Sequence, residues 1–151
     1  MNEDGFVGGF EVLPFGLLVF VAGALLLGNA WAVVDGTLAA TAAAREATRS
    51  YVEAPSSDLA EQAARSAALA TIEAHGRDPS RAQVRWEVGP DFTRCALNTI
   101  VVEYRVPTFT VPLIGAFGSG VITTSGRHTE VVDPYRSGLA VDGFDAESCR
   151  A

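Results

Sequence analysis

Residues Val12–Val34 read VLPFGLLVFVAGALLLGNAWAVV, 23 consecutive positions without a charge. A helix of that length is roughly 35 Å long at 1.5 Å per residue, enough to cross a hydrocarbon core of about 30 Å. Two other readings of the stretch compete with a membrane span. A buried core helix would need enough protein to wrap an all-apolar cylinder, and the remaining chain is small for that. A cleaved signal peptide would use Ala30-Trp31-Ala32 as its A-x-A site, but the preceding MNEDG carries no positive charge and the run exceeds the usual 7–15 apolar residues.

The helix is expected to continue past Asp35. Thr37–Tyr51 (TLAATAAAREATRSY) is alanine-rich with no internal glycine or proline, and alanine has the highest helix propensity. Arg45, Glu46 and Arg49 place its second half in water. Pro55 stops it, because the residue before a proline is driven out of the helical region. One helix over 12–52 would be roughly 60 Å long. A second helix over 58–75 is signalled by Asp58 as N-cap with Glu61 three residues on, by Gly76 as a terminator and by Pro79 beyond it. Leu59, Ala63, Ala67, Ala70 and Ala74 are its expected apolar side, to be laid on a sheet.

Beyond Pro79 the hydrophobic period drops to two. Val84, Trp86 and Val88 alternate with Arg85 and Glu87. Ile100, Val102, Tyr104 and Val106 alternate with Val101, Glu103 and Arg105, up to Pro107. Strands are therefore expected over 82–88, 97–106 and 120–131, the first two joined by a turn at Gly89-Pro90-Asp91. The third is expected to bulge at Gly126. Thr108–Gly120 (TFTVPLIGAFGSG) reads as an apolar connection, and the tail after Pro134 as loop. The expected fold class is α+β: a segment 1–11, a transmembrane helix 12–34, a helical stalk 35–54, and a small domain 55–151 with a three-stranded antiparallel sheet.

Net charge is −7, and all 11 basic residues are arginine. An acidic chain without a basic cluster is a poor match for nucleic acid, whose phosphates need clustered positive charge. The sequence has no G-x-S-x-G, P-loop, H-E-x-x-H or G-x-G-x-x-G. His75 and His128 are isolated, no ligand pair has zinc spacing, and His128 with Glu130 reads as a solvated strand face. No catalytic residue, metal site or cofactor is expected.

A more particular resemblance lies in Gly9-Phe10-Glu11-Val12-Leu13-Pro14, the apolar span, Asn29, and then Ala42-Ala43-Ala44-Arg45-Glu46-Ala47. With the later Val101–Pro107 strand, apolar loop and returning strand, this resembles the TadE-like pilus-assembly family. The resemblance covers most of residues 9–131. It implies a pilin-like fold and a pseudopilin or minor pilin of a tight-adherence type pilus, or of a related secretion machine. Implied partners are other pilin-like subunits, inner-membrane assembly proteins, the lipid bilayer and a prepilin peptidase that trims a short leader. Counting back five residues from Glu11 puts the family's cleavage glycine at Phe6, and the nearest glycine here, Gly5, is one place earlier. In that family the glutamate helps assembly, so Glu11 would accept the N-terminal amine of a neighbouring subunit. Without the resemblance, Glu11 is a headgroup-level charge at the edge of the span.

Two further groups of residues are singled out. Gly9, Gly16, Gly23 and Ala30 recur every seven residues, near one helix face, where small side chains let membrane helices approach. Asn29 beside Ala30 is expected to hydrogen-bond across that contact. The plainer reading is that membrane helices are simply glycine-rich. Cys95 and Cys149 are the only cysteines. Outside the cytoplasm, oxidising conditions would pair them, closing a loop of 53 residues for about 4 kcal/mol in the chain-entropy model; free thiols are the alternative. Arg45 and Arg49 after the span, with no basic residue before it, point the domain inward by the positive-inside rule. The count is only two and both lie well past the span, so the resemblance and the cysteine pair are given precedence and the domain is expected outside. A membrane-anchored accessory protein of the envelope that never enters a filament is the competing function.

Overall fold

A computed structural model describes residues 12–108, 120–137, 139 and 149. Helix α1 runs unbroken from Val12 to Val52, and α2 from Ser57 to Ala74. A 3-10 turn at Pro79–Arg81 leads into β1 (Ala82–Val88), β2 (Leu97–Pro107) and β3 (Val121–Val131). The strands form one antiparallel sheet in the order β1-β2-β3. The α+β layout read from the sequence is therefore present, with element ends within a residue or so of expectation.

Pairing brings Val84 opposite Val102 and Trp86 opposite Ile100, then Val102 opposite Gly126 and Tyr104 opposite Thr124. The alternation then decides the layers. Even-numbered side chains of β2 and β3 face the helices, with Ala82, Val84 and Trp86 of β1 before its register shift, and Ile100, Val102, Tyr104 and Val106 are fully or almost fully buried there. Against them lies one side of α1's second half: Ala39, Ala40, Ala43, Ala44, Ala47, Thr48 and Tyr51. Helix α1 touches β2, β3 and α2, while α2 reaches the sheet mainly over β1. The opposite sheet face carries the ion pairs Arg85–Glu103 (2.8 Å) and Arg127–Glu87 (3.5 Å) and a Thr99–Thr129 hydroxyl contact of 2.8 Å.

The helix α2 is turned about a quarter rotation from the expected face. Its buried residues are Ala60, Ala64, Ala68 and Ile72, whereas Leu59 is 49 % exposed. The buried row is set by Ile72, the one bulky side chain that enters the core, with three alanines stacked behind it at intervals of four. These alanines meet α1 rather than the sheet. The expected face was misplaced because alanine surrounds this helix and its hydropathy contrast is small. Ser56 is the N-cap residue, with Asp58 inside the first turn, where a carboxylate favours the helix N-terminus.

Gly126 is not a bulge. The β2–β3 register passes through it without a shift, and the irregularity of the sheet lies instead in β1, between Trp86 and Val88. A Cβ built on Gly126 would overlap the backbone of Thr41 and Ala40. The glycine thus lets α1 press its backbone directly on β3. Gly126→Ala should lower stability by about 1–3 kcal/mol, the usual cost of overpacking, and Gly126→Val by more. Gly120, with open space around its Cβ position, should accept alanine with little change; melting curves of the detergent-solubilised protein test the contrast.

Candidate functional site: the apolar helix and the grip of the domain on it

From Val12 to about Trp31, α1 projects from the domain with most of its large side chains exposed; Phe20 is 73 % and Trp31 74 % accessible. It is the one helix among the described residues long and apolar enough to cross a membrane, and none of its apolar window is covered by the rest of the chain. A core helix would be covered, so the buried-helix reading fails. All backbone groups of such a segment bond within the helix, as a span in lipid requires.

The expected packing residues divide. Gly16 and Gly23 stand on the exposed helix with nothing within 4 Å of a Cβ position, and Ala30 is exposed on the same segment. Asn29 is one residue, hence about 100° of rotation, from Ala30. Its Nδ2 donates to Leu25 O of the same helix at 3.0 Å. Gly5, Phe6, Gly9 and Glu11 lie outside the described residues.

Where the uncharged run ends, the domain takes hold. Helix α2 terminates in a Schellman arrangement: Gly76 N donates to Glu73 O at 2.8 Å and Arg77 N to Ile72 O at 3.2 Å, with Gly76 at φ +70°. That left-handed step turns Arg77 back toward α1. Its Nε donates to Asp35 Oδ2 at 3.1 Å and its Nη2 to Ala32 O at 3.3 Å, and Nη2 also meets Asp35 Oδ2. The guanidinium carbon lies 5.3 Å from the Tyr104 ring centre, and the side chain is only 13 % exposed. The first charge after the uncharged run is thereby paired with a residue 42 positions on. Nothing in the local sequence marks Arg77 except its place just after a helix-terminating glycine.

The far end of α1 is held by the C-terminal segment. Arg136 donates to Val52 O and Ala54 O, putting a cation on carbonyls at the helix C-terminus, where the helix dipole favours it. It also lies 5.1 Å from the Phe92 ring centre. Tyr51 meets Trp86 and Phe92 edge-on at 6.1 and 5.7 Å, a geometry aromatic pairs favour. Arg65 covers Trp86 at 4.7 Å. Burial pushes the Tyr51 phenol above its ordinary range, helped by the negative charges of Glu61 and Asp91. Arg94 donates to Pro134 O at 2.8 Å and Leu139 O at 3.2 Å. Cys95 is fixed by its N–H to Val132 O at 2.9 Å, and Cys149 is brought to disulfide distance from it, with Cα atoms 5.1 Å apart.

His128 and Glu130 approach at 3.2 Å but stand half-buried on the helix-facing side of β3, not on a solvated face. Thr48 Oγ1 lies 3.4 Å from His128 O. Among the described residues no group of three His, Cys, Asp or Glu is placed to hold a metal ion.

Arg77→Ala should cost about 1–3 kcal/mol, the range for charge-assisted hydrogen bonds. Arg49→Ala, which breaks an exposed, solvent-screened pair with Glu53, should change stability far less; denaturant titration in micelles separates the two. In protein isolated without reductant, Cys95 and Cys149 should both resist alkylation, and reduction should expose the chain after Pro134 to protease before the sheet. No protein-family model, curated protein or solved structure matches this chain.

Proposed function

We propose that the chain is a membrane-anchored, pilin-like subunit, a minor pilin or pseudopilin of a tight-adherence type pilus or related secretion machine, with its domain outside the cytoplasm. The observation that carries this reading is the unbroken helix Val12–Val52. Its first half is bare and apolar, and its second half is the central element of a small α+β domain. A plain anchor needs no such continuity, because a flexible linker serves as well. A subunit that must transmit the position of its membrane segment to its domain does need it.

The disulfide-distance cysteine pair supports the extracytoplasmic side, since such pairs persist in oxidising compartments. The run Glu11-Val12-Leu13-Pro14 and the Ala42–Ala47 stretch support the family resemblance. On this reading Glu11 accepts the N-terminal amine of a neighbouring subunit. Burying a carboxylate at the membrane edge is costly alone and is offset by an opposite charge. The partners are other pilin-like subunits, inner-membrane assembly proteins and a prepilin peptidase; nucleic acid is not among them.

Surface filaments sheared from cells should contain the protein, and the mature chain should begin near residue 6 or 7. Glu11→Ala should leave membrane insertion intact and sharply reduce incorporation into filaments. Wild-type protein confined to the membrane fraction, with Met1 retained, would instead favour an envelope accessory protein that never joins a fibre.

A further inference from the structure

The domain overlaps the apolar helix at its lower end. Ala32 packs against the core cluster, although it lies inside the uncharged run. Arg77 reaches past Asp35 to Ala32 O. Gly36 meets the side chains of Val106 and Thr124, its Cβ position lying 2.7 Å from Val106 Cγ2. Strand β3 runs in the same sense as α1: Thr124 is level with Gly36, Gly126 with Ala40 and Thr41, and His128 with Thr48. Three residue steps lead from Thr124 back to Val121, the first of the strand. At about 3.4 Å each they extend at most about 10 Å below Gly36. That is roughly one to two helical turns, which brings Val121 and its partner Pro107 level with the last turns of the apolar span, around Trp31.

Among the described residues this end of the sheet is apolar and exposed. Val121 is 60 % and Ile122 42 % exposed, and Pro107 is exposed. The thirteen residues Thr108–Gly120 that join the two strands contain no charge. Above this end the composition changes. Arg105 is exposed on the outer face, and Arg77, paired with Asp35, lies at the end of the span. Apolar tips below, cations and an interfacial tryptophan at the boundary are the layering of a bilayer surface.

We propose that the domain is seated on the bilayer that α1 enters, with Pro107, Val121 and Ile122 immersed at the boundary of headgroups and acyl chains. The proposal rests on the membrane reading of α1 and adds a second lipid contact to it. The occupant of this surface is phospholipid, because the geometry places it at the depth of the span. Two contacts, helix and sheet end, fix how far the domain stands from the membrane and how it is rotated about the α1 axis.

The test is depth measurement by spin labels on single cysteines, with the native pair kept oxidised, in vesicles of phosphatidylcholine and phosphatidylglycerol. Labels at Val121→Cys and Pro107→Cys are compared with Phe20→Cys in the span and Leu59→Cys at the opposite end of the domain. Collision with oxygen, which concentrates in lipid, is read against a neutral nickel chelate, which stays in water. The oxygen-to-nickel ratio should be several-fold higher at positions 107 and 121 than at 59. A ratio at both positions equal to that at 59, with Phe20→Cys reading lipid, would overturn the seating while leaving the anchor in place. Shielding of position 121 from both reagents would overturn it in favour of a second copy covering this end. A watery Phe20→Cys would remove the membrane reading and the seating together.

Discussion

On the proposed membrane reading, the structure depends on one helix meeting two solvents. Lipid requires α1 to be apolar all round and internally hydrogen-bonded, whereas the domain requires it to be thin on one side. The sequence meets both demands by changing composition along an unbroken backbone: leucine, valine and phenylalanine up to Val34, then alanine on the buried side from Ala39 to Ala47. Asp35 stands at the junction. A lone carboxylate there would draw the helix out of the membrane, and Arg77 neutralises it from the domain side. The same pair joins the apolar segment to the domain, so the end of the uncharged run and the edge of the fold coincide.

A core built on alanine gains little per side chain from burial. It compensates by close approach, because dispersion depends steeply on distance. Gly126 lets the α1 backbone touch the sheet, and Ala60, Ala64 and Ala68 let α2 approach α1 closely. The larger apolar contributions come from the distal end, where Tyr51, Trp86 and Phe92 cluster. The two ends of α1 are therefore held by different means. The end next to the apolar run uses the Arg77–Asp35 pair and the contact of Gly36 with Val106 and Thr124. The distal end uses aromatics, an arginine on the helix C-terminus, and a cysteine pair that ties down the tail.

Element positions were legible because their signals are local. The uncharged run, the alanine stretch ending at Pro55, and the period-two alternation ending at Pro107 each mark a boundary within a few residues. What failed was whatever depends on distant partners. The buried face of α2 cannot be chosen among so many alanines until α1 is in place. Gly126 reads as a bulge from sequence, since nothing local shows that Thr41 will lie against it. Arg77 and Arg136 reach partners 42 and more than 80 residues away, beyond any periodic signal. The cysteine pair was found only because two cysteines permit one pairing.

The central claim is that membrane segment and domain share one rigid helix through Asp35. Distance measurement between spin labels at Phe20 and Arg49, in protein reconstituted into vesicles, tests it most directly. Both side chains are exposed, and the 29 intervening steps of a continuous helix span about 44 Å. A narrow distribution centred near that value is predicted. A broad distribution, or one centred well below it, would mean that the helix breaks or bends at the membrane boundary, and the account of a shared helix would be wrong.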